Sequence, residues 1–330
     1  MRVVLVMEGW PGLPAGGPGV DVAREAWGVA APGVDVEALA VGDGGPRSLD
    51  AEAGTQGTIA AADAVALDDA VMLAPAAGAL RWDPQALREA LLTVAGDPSA
   101  PRRVVVPVGD APPAGDAADL WGESLAETRQ TLSPLEIVAL VASDRPLLGF
   151  HGMSAAVREG READAALAVA AQQQEDRWRE RAIAADDIAS AHAMLLGPRR
   201  LSDQPRTGAA GGLAYALAAL GARLEPGAHH LASRAGVAAA IDGADVAVAI
   251  VGTLSHAALD HGVSAPVGAL AAARGVPAVV VTSDSHVGRR DLMAAGIHAA
   301  HIGSPGMEGL RDAVTRAAQT WTPVRGSGAC

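Results

Sequence analysis

The sequence contains no lysine and no asparagine, so all 25 of its basic residues are arginine. The chain therefore has no lysine to form a Schiff base, to bind a phosphate or to act as a general base. Arginine stays charged, so it can neutralise an anion but cannot serve as a base. Codon usage in a GC-rich genome explains the shortage of lysine, asparagine, phenylalanine and tyrosine, yet the chemical restriction holds whatever its origin.

Cysteine is almost as scarce and occurs once, as Cys330. A single thiol excludes disulfides within the chain and cysteine-based zinc sites, and its terminal position argues against a buried nucleophile. The nine histidines show no spacing typical of metal ligands, so no histidine metal site is expected. The sequence therefore assigns no metal ligands.

Positive charge and long apolar runs are also lacking. The net charge is −13, whereas general nucleic-acid binding needs a basic field. No apolar run approaches the ~18 residues of a membrane span, and Val3–Met7 is too short for the core of a signal peptide. We therefore predict a soluble, cytoplasmic protein without nucleic-acid or membrane partners; the residues do not indicate an oligomeric state.

Hydrophobic residues make up half of the sequence, and 330 residues are enough for two domains. Short apolar runs alternate with Ala/Leu-rich helical stretches, which predicts an α/β fold with a parallel sheet. The stretch Arg161–Leu196 interrupts this rhythm and is interpreted as a helix with a solvated charged face or, alternatively, as a partner-binding helix. The predicted strands, nearly continuous in apolar residues as buried parallel strands require, are Val3–Met7, Val34–Ala40, Ala70–Ala74, Arg103–Val108, Ile137–Ala142, Val246–Val251, Ala278–Thr282 and Ala299–Ile302.

Glycine-rich turns follow several of these strands. Gly208–Gly212 opens a predicted helix, so its backbone amides are placed either to face a phosphate or to allow close packing of the helix on the sheet. Asp43 lies between glycines just after a strand, where it serves either a ligand or the turn itself. Both alternatives stay open for both turns.

Other polar residues also follow predicted strands, among them Glu8 and the stretch 282–286, which reads Thr-Ser-Asp-Ser-His. Such a Ser/Asp/Ser run is typical of a helix N-cap. The stretch that begins at Gly252 reads Gly-Thr-Leu-Ser-His and lacks the Gly-x-Ser-x-Gly elbow, so a hydrolase triad has no support.

Several motifs occur in a characteristic order along the chain. Thr207-Gly-Ala-Ala-Gly-Gly-Leu is followed by Leu220-Gly-Ala, Ile241-Asp-Gly-Ala-Asp-Val and Ser264-Ala-Pro-Val-Gly, and it is preceded by Val41-Gly-Asp-Gly-Gly and Ser143-Asp-Arg-Pro-Leu. This order resembles that of the bacterial glycerate kinase family, in its two-domain type with a flavodoxin-like domain. The family's counterparts are Pro-Gly-Ala-Gly-Ala-Ala-Gly-Gly, Ala-Asp-Gly-Gly-Glu-Gly and Cys-Asp-Val-x-Asn-Pro-Leu, and the likeness covers almost the whole chain.

The departures from the family's motifs fall on polar positions. The first strand ends in Met7-Glu-Gly-Trp-Pro, where the family has Pro-Asp-Ser-Phe-Lys-Gly, and Gly109-Asp-Ala-Pro replaces Gly-Gly-Ser-Ala. Counting back from a shared proline places Thr253, Ala257 and Ser264 where the family has Glu, Asp and Lys. Asp260 reaches the Asp position only after a loop shift. The scaffold motifs therefore persist while the charged ones are eroded.

The resemblance implies a flavodoxin-like parallel-sheet domain formed by 1–52 with 207–330, and a second α/β domain, 53–206, inserted into it. It also implies ATP and Mg²⁺ as cofactors and D-glycerate as the small-molecule substrate, all in the cleft between domains. Arg289 and Arg290 are further candidate cations. The residues still able to serve are Asp43, Asp144 and Arg145 for catalysis, and Gly44, Gly45, Gly208, Gly211, Gly212 and Gly252 for cofactor binding.

Three classes of function follow from this pattern. The first is an active ATP-dependent glycerate kinase, and the second is a non-catalytic relative that binds a metabolite or partner. The third is an enzyme of different chemistry on the same scaffold, using the stretch 282–286. Because Ser264 and Ala257 stand where charged residues are expected, and codon usage does not explain these replacements, we predict that glycerate kinase activity is weak or lost.

Overall fold

The computed structural model describes residues 1–13, 16–149, 151–153, 165–190 and 200–322. These residues form two compact units. Unit 1 comprises Met1–Asp43, Asp50–Glu52 and the described part of Ala228–Cys330, and unit 2 comprises Gly44–Leu49 and Ala53–Gly227. Cys330, and the parts of the predicted helix that lie at 161–164 and 191–196, fall outside the described residues.

The strands of the described ranges number from β1 to β11 in chain order. Each run of buried apolar residues predicted as a strand corresponds to one of them. The strands are β1 (Arg2–Met7), β2 (Asp35–Ala40), β3 (Thr55–Ile59), β4 (Ala62–Ala66), β5 (Ala70–Pro75), β6 (Arg103–Gly109), β7 (Glu136–Val141), β8 (Arg223–Pro226), β9 (Val246–Leu254), β10 (Ala278–Ser285) and β11 (Ile297–Ile302).

The α-helices of the same ranges connect most of these strands. Short 3₁₀ segments at Pro46–Ala51, Ala76–Gly78, Ala117–Trp121, Leu201–Asp203 and Ala209–Gly212 complete the connections. The helices are α1 (Gly17–Ala30), α2 (Pro84–Gly96), α3 (Leu125–Leu132), α4 (Ala165–Ser190), α5 (Leu213–Ala219), α6 (Gly227–Arg234), α7 (Val237–Ile241), α8 (His256–His261), α9 (Ser264–Arg274), α10 (Arg289–Ala294) and α11 (Gly306–Trp321). No helix in the described part of the chain combines the length and the apolar character that crossing a bilayer requires.

Unit 1 is built on a five-stranded parallel sheet in the order β11-β10-β9-β1-β2. Counted within the unit, this is the order 2-1-3-4-5 of flavodoxin-like sheets. Buried side chains at helical spacing on α1 (Val20, Ala23, Trp27) and α11 (Leu310, Val314) pack on one face of this sheet. The predicted fold class is confirmed.

Unit 2 contains a six-stranded sheet in the order β3-β4-β5-β6-β7-β8. The strands from β5 to β8 are parallel, whereas β3 and β4 form an antiparallel hairpin and β4 is antiparallel to β5. Residues 207–227 belong to this unit, because β8 pairs with β7. The domain limits 52/53 and 206/207 stay a prediction.

Helix α4 has a buried face in addition to the solvated charged face that the sequence predicts, on which Asp176, Arg177 and Glu180 are exposed. Trp178, Ala182 and Ala185 are buried at helical spacing, and Trp178 packs edge-on against Tyr215 with ring centroids 5.2 Å apart. The buried carboxylate of Asp186 accepts hydrogen bonds from the Tyr215 hydroxyl at 2.7 Å and from the Ser202 hydroxyl at 2.6 Å. Burial and this carboxylate raise the pKa of Tyr215, which therefore stays a hydrogen-bond donor. The helix is thus anchored in the core of unit 2.

Candidate functional site

Most of the predicted site residues lie at the carboxyl end of the parallel strands in unit 2. Asp110 directly follows β6, and Asp144 and Arg145 follow β7. Open α/β sheets bind ligands at this end of their strands. The predicted residues that lie in unit 2 are Gly44, Gly45, Asp144, Arg145, Gly208, Gly211 and Gly212, whereas Asp43 and Gly252 belong to unit 1.

Asp110 holds two of the donors that the sequence offers to an external anion. Its Oδ2 accepts a hydrogen bond from Arg145 Nη2 at 2.5 Å, and its Oδ1 accepts one from the backbone N–H of Ala210 at 3.2 Å. The backbone N–H of Gly208 donates to the carbonyl of Arg145 at 2.9 Å, which joins the two loops. Both side chains of the ion pair are only about 30% exposed, so water screens this pair less than it screens a surface ion pair. The Asp110 carboxylate therefore takes the place that an external anion would have beside Arg145 and the Ala210 amide.

The loop Gly208–Gly212 packs tightly on its neighbours. Ala210, Gly211 and Gly212 all have positive φ angles, of 50°, 62° and 90°. A Cβ atom on Gly208 would lie 2.3 Å from the carbonyl oxygen of Pro146, and one on Gly212 would lie 2.1 Å from Trp178 Nε1. The same indole nitrogen donates to the carbonyl of Gly211 at 3.1 Å. Close packing therefore accounts for Gly208 and Gly212, and their contact with a ligand stays a prediction.

Asp144 and the glycines at 44 and 45 have equally specific surroundings. Arg206 Nε donates to Asp144 Oδ1 at 3.0 Å, and this carboxylate is largely exposed. Gly44 has φ +91°, and a Cβ on it would meet the Cα of Gly227 at 2.4 Å, while a Cβ on Gly109 would meet the Cα of Gly45 at 2.9 Å. These glycines therefore permit close contacts between backbone segments at the strand ends.

Glu8 in unit 1 is a functional candidate that the sequence analysis noted but gave no role. It follows β1, next to the point where the strand order of the sheet reverses between β1 and β9. Its Oε2 accepts a hydrogen bond from the backbone N–H of Val263, at the start of α9, at 2.9 Å. The signal in the sequence was its position directly after the first strand of a parallel sheet.

The environment of Glu8 changes its acidity. The pKa of Glu8 is raised to about 7, chiefly by burial and secondly by the negative charge of Asp43, while the hydrogen bond from Val263 opposes both effects. A carboxyl group with this pKa is partly protonated at neutral pH and can both give and accept a proton. Asp43, which the sequence predicts as a site residue, therefore acts on a second carboxyl group of unit 1.

At the positions where the family has charged residues, the side chains of this protein are either hydrogen-bonded within unit 1 or exposed. Ser264 is fully buried and donates to the carbonyl of Ala258 at 2.7 Å. The carbonyl of Gly252 accepts hydrogen bonds from the hydroxyls of Thr282 and Ser283, at 3.1 and 2.6 Å. Exposed side chains are those of Thr253, Ala257, Asp260, Arg289 and Arg290. The buried hydroxyl of Ser264 serves the fold, and it supplies no charge.

The stretch 282–286 does not cap a helix, and this prediction is wrong. Residues 282–285 extend β10, and Gly288 is the N-cap of α10. His286 Nε2 lies 2.9 Å from Asp284 Oδ2, and both side chains are about 60% exposed. The extension arises because β10 pairs with β9 as far as Ser285.

Two of the donors that the sequence offers to the phosphates of ATP are already occupied. Arg145 and the Ala210 amide are both engaged by Asp110. Within the described ranges, no group of three or more His, Cys, Asp or Glu side chains is placed to hold a metal ion. A cavity of about 470 Å³ in unit 1 lies at the amino end of β10 and β11, next to Pro277 and His298, at the edge of the sheet opposite Glu8.

Comparison with solved structures supports the architecture. The crystal structure of a "putative glycerate kinase 2" from Salmonella typhimurium LT2 matches 98% of this chain and 97% of its own, with a TM-score of 0.57 and 18% sequence identity. At this identity the likeness concerns the fold. The fold therefore places the protein among α/β proteins that join a flavodoxin-like sheet to a second α/β sheet.

Comparison of sequences identifies the family. The sequence model described as the glycerate kinase family matches residues 114–325, which is more than half of the chain. The protein belongs to the glycerate kinase family, and the resemblance seen in its motifs is confirmed.

Two curated relatives come from mycobacteria. Uncharacterized protein Mb2228c of Mycobacterium bovis and Uncharacterized protein MT2261 of Mycobacterium tuberculosis are each 28% identical over 186 residues. The match covers 56% of this chain and 45% of each relative, so it spans less than half of their length.

Proposed function

We propose that this member of the glycerate kinase family recognises a small anionic metabolite of the glycerate type and that its ATP-dependent phosphorylation of D-glycerate is weak or lost. The observation that carries this proposal is the ion pair of Asp110 with Arg145. Phosphoryl transfer depends on positioning and on neutralising the charge of the transferred group. A cation that already holds a carboxylate of the protein is poorly placed for that task.

The eroded positions support the same proposal. Ser264 stands where the family has a lysine, and its buried hydroxyl is bonded to a backbone carbonyl. Removing one preorganised electrostatic group commonly costs ~10²–10³ in rate. Several such losses together should bring turnover close to background. ATP and Mg²⁺ as cofactors, and a cytoplasmic location, remain part of the proposal.

One observation favours residual chemistry over a binding role alone. With its pKa near 7, Glu8 is suited to accept a proton from a substrate hydroxyl. The alternative function is a non-catalytic relative that binds a metabolite or a partner on the same scaffold. The pairing of Arg145 with Asp110 favours that alternative, because it leaves this cation already bound to a carboxylate of the protein.

Thermal-shift titration tests small-molecule recognition and separates the two alternatives. We expect millimolar D-glycerate to raise the midpoint of thermal unfolding, because a ligand that binds only the folded state stabilises it. A rise with ATP–Mg²⁺ as well supports a weak kinase, and a rise with D-glycerate alone supports the non-catalytic relative. D-lactate, which has the same configuration at C2 and lacks only the second hydroxyl, is the matched control. If neither D-glycerate nor ATP–Mg²⁺ raised the midpoint, the result would contradict the proposal.

A further inference from the structure

A single carboxylate in unit 2 accepts hydrogen bonds from a guanidinium group and from a loop amide at the same time. Asp110 lies between Arg145 and Ala210, which are separated from it by 35 and 100 residues along the chain. Arg145 Nε is buried and has no hydrogen-bond partner, so the ion pair with Asp110 uses only part of the guanidinium. The arrangement offers two converging donors to one oxyanion.

We propose that Asp110 is an internal anion that occupies an oxyanion site formed by Arg145 and the Ala210 amide, and that its side chain competes with external phosphate or carboxylate groups for this site and so weakens their binding. This inference rests on the proposed function, because it treats the loop after β7 and the loop Gly208–Gly212 as ligand-binding segments. It adds that Asp110 occupies the site that these loops form. A guanidinium fork and a backbone N–H are donors that suit a phosphate oxygen as well as a carboxylate oxygen. The internal carboxylate neutralises the cation, so an external anion must compete with a group that is covalently tethered nearby.

The packing of the loop keeps its amide in place when Asp110 is removed. Ala210 is buried, and its φ angle of 50° lies in the left-handed region. The flanking Gly208 and Gly212 lie against Pro146 and Trp178. The backbone at this position is thus held by neighbours other than Asp110. Replacing Asp110 should therefore leave a formed site with a free cation, and should not simply release the loop.

The test uses inorganic phosphate as the probe and thermal unfolding as the readout, with chloride added to equal ionic strength. For Asp110→Asn and Asp110→Ala we expect a saturable rise of roughly 3–5 °C at phosphate ten times its dissociation constant. The wild-type protein is expected to show no such rise. The rise should disappear in the double variant that combines Asp110→Ala with Arg145→Gln.

The ion pair of Asp69 with Arg103 provides a matched control. Arg103 is 32% exposed against 31% for Arg145, its Nε is likewise buried without a hydrogen-bond partner, and its Nη1 lies 3.2 Å from Asp69. Asp69→Asn therefore frees a similar arginine without the loop amide, and we expect no response to phosphate.

A parallel titration with D-glycerate assigns the chemistry of the opened site. A stronger response to phosphate assigns it to phosphate groups, and a stronger response to D-glycerate assigns it to carboxylates; both support the internal anion. Equal phosphate responses in the wild type and the Asp110 variants, or no response in folded Asp110→Asn, would overturn the proposal. The test compares the phosphate response of the Asp110 variants with that of the wild type and requires neither turnover nor a wild-type response to D-glycerate, so its failure is separable from failure of the proposed function.

Discussion

Replacing Glu8 by glutamine is expected to make the protein more stable at neutral pH and to leave its stability unchanged near pH 4. The pKa of Glu8 rises from 4.5 to about 7 on folding, so between these pH values the folded state holds a proton that the unfolded chain has released. The free energy of unfolding therefore falls as the pH rises through this window. The full shift corresponds to about 3 kcal/mol, as an upper limit for a half-buried group.

Glutamine resembles the protonated glutamate and keeps an oxygen to accept the hydrogen bond from Val263. Denaturant unfolding at a series of pH values should give a difference between Glu8→Gln and the wild type that grows from pH 4.5 to pH 7 and then levels off. Asp43→Asn should produce a smaller change in the same direction, because the charge of Asp43 is the second cause of the shift. Glu25→Gln removes an exposed carboxylate of the same unit and serves as the control. A difference that does not vary with pH would contradict the assignment.

Replacing Gly212 by alanine is expected to destabilise unit 2 by about 3 kcal/mol or more. Two costs combine, since the φ angle of +90° is unfavourable for alanine and the new Cβ would lie 2.1 Å from the indole nitrogen of Trp178. Trp178 cannot move aside cheaply, because it is buried among Trp121 and Tyr215. Denaturant unfolding followed by tryptophan fluorescence measures the effect.

Two further glycine variants separate these costs. Gly208→Ala has no conformational penalty, because φ is −79°, and its expected loss of about 2 kcal/mol comes from the 2.3 Å approach to the carbonyl of Pro146. Gly28→Ala, in helix α1 with open space around it, should instead stabilise the protein by about 0.5–1 kcal/mol. Wild-type stability in Gly212→Ala would show that this glycine does not serve packing.

The parallel strands inside the two sheets were predictable because most of their side chains are buried on both faces. Such strands are nearly continuous apolar runs, and each such run in the sequence corresponds to a strand. The missed strands lie at or near a sheet edge, where that signal is weak. Strand β3 (Thr55–Ile59) is mostly exposed and contains Gly57, and β8 (Arg223–Pro226) is a polar edge strand that ends in proline.

The site was only partly predictable, because its key contacts join distant residues. The glycines at 208 and 212 were visible as a motif, but the sequence does not show that Trp178 and Pro146 lie against them. Asp110 replaces part of a family motif, yet its pairing with Arg145 and Ala210 depends on how the ends of β6 and β7 meet the loop. Glu8 was visible after a strand, but its acidity depends on burial and on Asp43.

Steady-state release of ADP with ATP–Mg²⁺ and D-glycerate tests most directly whether phosphoryl transfer is weak or lost. The purified full chain should be assayed near pH 7.5 with a coupled readout, and ATP–Mg²⁺ without D-glycerate gives the background. We predict D-glycerate-dependent turnover close to that background. Turnover of ~1 s⁻¹ or above, the low end of ordinary enzyme rates, would show that the remaining residues of the site suffice for catalysis and would contradict the proposed function.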